Sequence, residues 1–211
     1  MINENSRTPW GKAQSVEYIT PWLTRVDTAS HGGYKVDRIH NMFIPSYVRK
    51  KSGWYEEDCA WSIVFSTLEP LIRQSVFDNE REYCEKVFQS KVHLETFKNW
   101  YPKEYEEFFN VILNEGESCM KDQIEWKKKN KGKWHVVSAS SLCNEWVRLT
   151  LCLDGEREYI RTPLERLLIV REEEYKQGKL RDKFGTALTE EQINYYENIA
   201  NNQRNNPVSN M

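Results

Sequence analysis

The sequence predicts an α+β fold with an N-terminal strand-rich unit, a central helical layer and a C-terminal β-hairpin with flanking helices. Hydrophobic periodicity runs at about two in the first region, about 3.6 in the middle and about two again near the end. Turn signals punctuate the first and third regions at Thr20-Pro21, Gly32-Gly33 and Asp154-Gly155. With 211 residues, 39% of them apolar, the chain is long enough to bury a core. The pattern assigns residues 1–200 to one globular domain made of 8–53, 54–130 and 133–200, and 201–211 to a disordered tail.

In the first region, Ser15–Ile19 and Trp22–Val26 read as strands around the Thr20-Pro21 break, and Gly32-Gly33 introduces a third strand over Tyr34–Val36. Adjacent glycines suggest a turn that needs positive φ. The middle region opens with Trp61, Val64, Phe65, Leu68, Leu71 and Ile72 at helical spacing, with Pro70 expected to end or kink that helix. Tyr105, Phe108, Phe109, Ile112 and Leu113 repeat the stripe behind Pro102, a good first-turn residue. Short connections make these helices antiparallel neighbours.

The third region begins after Gly132. Lys133–Ala139 and the alternating Val147, Leu149, Leu151 and Leu153 read as strands, Asp154-Gly155 as a hairpin turn and Glu156–Arg161 as the returning strand. Thr162-Pro-Leu-Glu165 has the form of a capping box, which opens a helix through Tyr175 to Gly178; Leu167–Val170 as a short buried strand is the alternative. A second box, Thr189-Glu-Glu-Gln192, opens a helix carrying Ile193, Tyr196 and Ala200. The Asn-rich residues 201–211 have too few apolar side chains to fold.

A formal net charge of −2, with both signs spread along the chain, argues against a dedicated nucleic-acid or membrane-surface protein. The first residues lack a basic segment followed by an apolar one, and no apolar run approaches the ~18 residues of a spanning helix, so a cytoplasmic protein is expected. Five cysteines without a C-x-x-C suit reduced thiols there. Eight Trp and eleven Tyr must either fill a core or be displayed for binding.

Titratable and aromatic side chains gather around glycines in two stretches, His31-Gly-Gly33 and Gly53-Trp-Tyr-Glu-Glu-Asp-Cys-Ala-Trp61. A His facing Glu56, Glu57, Asp58 and Cys59 could pair as base and nucleophile, or gather a metal ion. The same residues have ordinary roles as well. Acidic residues before the Trp61 helix complement its macrodipole, Cys59 beside Ala60 and Trp61 suits a small buried hydrophobe, and His31 can bond across the glycine turn. His31, Glu57, Asp58 and Cys59 are therefore the catalytic candidates, and a contact between His31 and the Trp54–Cys59 segment is expected. No Gly-x-Ser-x-Gly elbow, Walker loop or Gly-x-Gly-x-x-Gly is present, so no cofactor and no metal is assigned. His40, His93 and His135 lie on separate elements and read as structural.

The segments Thr8-Pro-Trp-Gly11, Val26-Asp-Thr-Ala-Ser-His-Gly-Gly33 and Gly53-Trp-Tyr-Glu-Glu-Asp-Cys59 together resemble an uncharacterised domain family of bacteriophages, prophages and plasmids. Leu168-Ile-Val-Arg-Glu-Glu-Glu-Tyr-Lys176 is similar to a segment near the end of that family, where Pro is more usual at the position of Arg171. The resemblance implies a setting among mobile-element accessory genes and brings no activity or catalytic residue with it.

Two functions stay open. The first is a phage or mobile-element protein that acts by occupying a host protein, for instance to counter a host defence, with Trp10, Trp54 and Tyr55 as displayed anchors. Lys127, Lys128, Lys129, Lys131 and Lys133, interleaved with Trp126 and Trp134, join them as candidate binding residues. That run is the expected C-terminal end of an exposed helix before Gly132; a nucleic-acid contact is the weaker reading. The second function is a small hydrolase or metal-dependent enzyme using His31 with Glu57, Asp58 or Cys59. Neither reading involves a membrane or sets an oligomeric state.

Overall fold

The computed structural model describes residues 2–142, 145–154, 165–176 and 186–205, and the fold they form is α+β. Two compact units emerge, Met1–Asp122 and Gln123–Met211, and the division falls inside a helix ahead of Gly132.

The first unit opens with a small ladder of β1 (Arg7–Thr8) and β2 (Gly11–Lys12). Then come β3 (Ser15–Tyr18), β4 (Leu23–Asp27), β5 (Gly32–Val36) and β6 (Trp54–Glu56), which form an antiparallel sheet in that order. Between β3 and β4 the Thr20 hydroxyl accepts the N–H groups of Trp22 (3.2 Å) and Leu23 (2.9 Å) and closes the turn. Asp37 then caps a one-turn helix, α1 (Arg38–Asn41), by accepting the His40 N–H at 2.7 Å.

Two expectations change here. Residues 54–56 belong to the sheet rather than to the helical layer, because their alternation pairs Tyr34 with Tyr55 and Lys35 with Trp54. Gly32 and Gly33 lie inside β5, and among the described residues the glycines at positive φ are elsewhere, at Gly11, Gly53, Gly116 and Gly132. The glycine pair answers a packing demand, described below.

The helical layer follows as α2 (Trp61–Thr67), α3 (Glu69–Ser75), α4 (Asp78–Ser90), α5 (Val92–Trp100) and α6 (Pro102–Phe109). Pro70 separates α2 from α3 by sitting in the first turn of the latter, where its missing N–H costs nothing. Left-handed Lys91 (φ 57°) and Asn110 (φ 51°) end α4 and α6. The second break stops the predicted stripe short, so Ile112 is 84% exposed instead of being core, while Leu113 is buried. Leu23, Tyr34, Val36 and Tyr55 of the sheet pack on Ile63, Phe65, Leu68, Ile72, Phe88 and Phe97 of the helices in one apolar core.

Helix α7 (Cys119–Lys129) carries the chain across the division. In the second unit β7 (Trp134–Leu142), β8 (Trp146–Leu153), β9 (Glu165–Arg171) and β10 (Ala187–Leu188) form an antiparallel sheet in the order β10-β7-β8-β9, with α8 (Glu172–Lys176) and α9 (Glu190–Asn205) beside it. The alternation of β8 buries Val147, Leu149 and Leu151 against Leu168, Val170, Leu188 and Ile193. Leu167–Val170 is thus strand, the second of the two readings. The second capping box is realised as expected, with Gln192 Oε1 accepting the Thr189 N–H (2.9 Å) and Thr189 Oγ1 the Gln192 N–H (3.3 Å). Helix α9 runs through Asn205, past the predicted start of the tail. The returning strand over Glu156–Arg161 and most of the first box lie outside the described residues.

Candidate functional site

The three N-terminal segments meet on the first sheet, and their glycines explain how. Thr8-Pro-Trp-Gly11 is the turn between β1 and β2, closed by Thr8 Oγ1, which accepts the Trp10 N–H (3.1 Å) and donates to the Gly11 carbonyl (2.9 Å). The turn lays the Trp10 ring on Gly33. A Cβ there would sit 2.8 Å from Trp10 Cζ3, and closer still to Trp10 Cη2 and the Tyr55 carbonyl. Trp10 meets Trp54 edge to face, ring centroids 5.6 Å apart, and the Lys35 ammonium lies 5.2 Å above the Trp54 ring. Trp10 and Trp54 are half-buried partners of each other.

His31 closes the turn between β4 and β5. Its carbonyl accepts the Thr28 N–H (2.8 Å) and hydroxyl (2.5 Å), and its own N–H reaches Thr28 Oγ1 (3.2 Å). The expected contact with the third segment exists, through Glu57 alone: His31 Nδ1 is 4.0 Å from Glu57 Oε1. Glu57 is held by the Gly32 N–H (2.8 Å) and returns its own N–H to the Gly32 carbonyl (3.2 Å). Its carboxylate occupies the space a Gly32 side chain would need. Asp27, which accepts the Ser15 hydroxyl at 2.5 Å, approaches the same point.

The neighbouring acids do different work. Glu56 caps the turn before α2, accepting the N–H groups of Asp58 (2.7 Å), Cys59 (3.0 Å) and Ala60 (3.2 Å) and the Cys59 thiol (2.9 Å). Burial works to raise the Glu56 pKa, but the thiol and N–H donors outweigh it and hold the group below the ordinary carboxylate range. Asp58 is exposed and contributes its main chain to that cap. The Cys59 pKa moves up, first through burial and then through its bond to Glu56, which favours the thiol over the thiolate. Its other contact is the Tyr101 hydroxyl, 3.3 Å away. His31 and Cys59 therefore meet different acids. Among the described residues no group of three His, Cys, Asp or Glu side chains is placed to hold a metal ion.

Of the candidate anchors, Tyr55 is not displayed. It is fully buried, donates its hydroxyl to Asn41 Oδ1 (2.7 Å) and accepts the Lys50 N–H (3.1 Å), and burial pushes its pKa up to about 12. Lys127, Lys128, Lys129 and Lys131 are exposed around the end of α7, and Lys133 binds Asn130 Oδ1 at 2.9 Å. Gly132 follows at φ 79°. This is the helix-end geometry.

A cluster of exposed apolar side chains lies where no motif pointed. On α1 and just after it Ile39, Met42 and Phe43 are 68%, 67% and 62% exposed. The His40 ring stacks on Trp22 (centroids 4.5 Å, 9° between planes) and lies 6.1 Å from the Phe43 ring. Trp22 in turn forms the wall of an open hollow of about 690 Å³, lined also by Ile2, Tyr18, Pro21, Thr24, Lys35, Asp37 and Phe77. The 39, 42, 43 spacing looks like a core stripe in sequence, which is why it gave no sign of exposure.

A family model matches residues 3–131, so the chain belongs to the DUF7007 family, a domain of unknown function. The match contains the three N-terminal segments and ends before Leu168–Lys176. No curated protein and no solved structure matches the chain. Among the described residues no helix is long and apolar enough to cross a membrane.

Proposed function

We propose that this is an accessory protein of phages and related mobile elements that acts by occupying a host protein. The observation that carries the reading is the exposure of Ile39, Met42 and Phe43 on α1 and just after it, linked through the His40 and Trp22 rings to a largely apolar hollow. A chain with mean hydropathy −0.78 has ample polar surface, and a clustered apolar face of this kind is the usual mark of a docking surface. The mobile-element setting is supported by the resemblance of the three segments. The enzyme alternative gains less, because Cys59 is held as a thiol by Glu56 while His31 approaches a different acid, Glu57.

The test is capture from bacterial host lysate on the immobilised chain, comparing wild type with the triple variant Ile39→Ser, Met42→Ser, Phe43→Ser and with His31→Ala. The expected result is a partner retained in stoichiometric amount by wild type and His31→Ala and lost by the folded triple variant. Capture unaffected by the triple variant, or function lost on His31→Ala in a protein of unchanged stability, would refute the reading.

A further inference from the structure

We propose that β3 is an acceptor edge that adds one extended strand from a partner protein, and that the adjoining hollow takes a Trp or Tyr side chain of that strand. The inference rests on the protein-binding reading and specifies how the partner is held.

The pairing pattern gives the edge. Ile19 N–H bonds the Leu23 carbonyl across the β3–β4 turn, so by antiparallel alternation residues 15, 17 and 19 direct their main-chain groups to β4. On the far side of β4 the Thr28 N–H bonds His31, which places the even-numbered residues of β4 toward β5 and agrees with that phase. Val16 and Tyr18 therefore direct N–H and C=O away from the sheet, and β3 is its outer strand. The strand reads Ser-Val-Glu-Tyr, without the Pro or Lys that commonly blunts an open edge. An extended peptide is the chemical complement of such a row.

The hollow specifies the side chain. Tyr18 and Thr24 are cross-strand partners, so the hollow lies on the sheet face that Tyr18 occupies, beside the open edge. Its walls are Tyr18, Pro21, Trp22 and Phe77, with Lys35 and Asp37 as polar groups and Ile2 at the rim, where its carbonyl accepts the Tyr18 hydroxyl. A pocket that is apolar with two polar groups of opposite charge suits an aromatic body with a polar tip, as in Trp or Tyr. Along the added strand the next residue would fall opposite Glu17, which pairs with Arg25, on the other face; a Lys or Arg fits there. A second copy of this chain fits poorly. The register that sets Val16 opposite Tyr18 of the second copy, both outward-directed, places Glu17 against Glu17 at the close, non-hydrogen-bonded spacing.

The experiment uses the full chain and the blocked peptide acetyl-Thr-Trp-Lys-Val-Thr-amide, with the Trp→Ala peptide and free tryptophan as controls. Amide exchange is followed residue by residue by NMR. Saturable binding should slow exchange at Val16 and Tyr18 by roughly tenfold or more, with Glu17 and Ile19 little changed. Val16→Pro removes an outward N–H and no ladder bond, so it should keep the fold and weaken the peptide by roughly tenfold or more. No binding, binding with unchanged exchange at Val16 and Tyr18, equal binding of the Ala peptide, or slowed exchange with chain concentration alone would each overturn the proposal. Capture from lysate separates the two levels. Partner retained equally by wild type and Val16→Pro sinks the edge and leaves the protein-binding reading standing; no partner on wild type sinks that reading, while the peptide still judges the edge.

Discussion

Gly33→Ala should be among the most damaging small substitutions in the first unit, and Gly32→Ala beside it should be mild. At Gly33 the added methyl would meet the Trp10 ring and the Tyr55 carbonyl well inside van der Waals contact. The ring can swing out, but the carbonyl belongs to β6, where the fully buried Tyr55 anchors the strand. Overpacking against such a wall costs about 1–3 kcal/mol. Expelling Trp10 also removes its edge contact with Trp54, worth about 0.5–1.5 kcal/mol. Restricting the unfolded chain returns only about 0.4–1 kcal/mol. The net loss is about 2–3 kcal/mol, or roughly 10 °C in Tm for a unit of this size. At Gly32 the closest atom is Glu57 Oε2 at 2.5 Å, the far end of a flexible side chain, with Asp27 Oδ1 and the Val26 carbonyl at 3.0 Å. The carboxylate can rotate away, so about 0.5–1 kcal/mol is expected. Urea unfolding followed by tryptophan emission measures both. Equal effects of the two substitutions, or Gly33→Ala within about 0.5 kcal/mol of wild type, would show that the glycine pair is not there to seat Trp10 and Glu57.

The three consecutive acids and the cysteines give further tests. Glu56→Gln should cost about 1–2 kcal/mol near neutral pH, as loss of a charged cap does. Because the folded state lowers the Glu56 pKa, its contribution is present above the ordinary Glu value of about 4.3 and is lost as pH falls through the folded value, so wild type and variant should converge in acid. A difference that grows on acidification contradicts this. His31→Ala and Asp58→Asn should each stay within about 0.5 kcal/mol of wild type, since the His31 bonds are main-chain and Asp58 is exposed. Among the described cysteines, native-state iodoacetamide should label exposed Cys119 first and Cys59 and Cys84 slowly; Cys59 reacting ahead of Cys119 would revive the nucleophile.

How much of this was legible in the sequence depended on whether a residue's partner lay nearby in the chain. The Thr189 box, the Pro102 helix start and the alternation of β8 are local signals, and each appears in the structure. A meeting of His31 with the Trp54–Cys59 segment could be expected because both stretches mix polar residues with glycine, yet which acid would face the histidine depends on the β5–β6 register, which places Glu57 at Gly32 and turns Glu56 to the helix start. Gly32-Gly33 was legible as special and misleading as to why: two glycines in sequence suggest a turn, whereas here they admit an indole from more than twenty residues upstream and a carboxylate from about as far downstream. The α1 surface shows the opposite limit. Ile39, Met42 and Phe43 carry the spacing of a buried stripe, and only the position of α1 at the end of the sheet decides that nothing in the first unit covers them. Helical spacing says that apolar residues share a face. It does not say whether that face is covered by the chain's own core or left for another protein, and for this surface that distinction carries the functional reading.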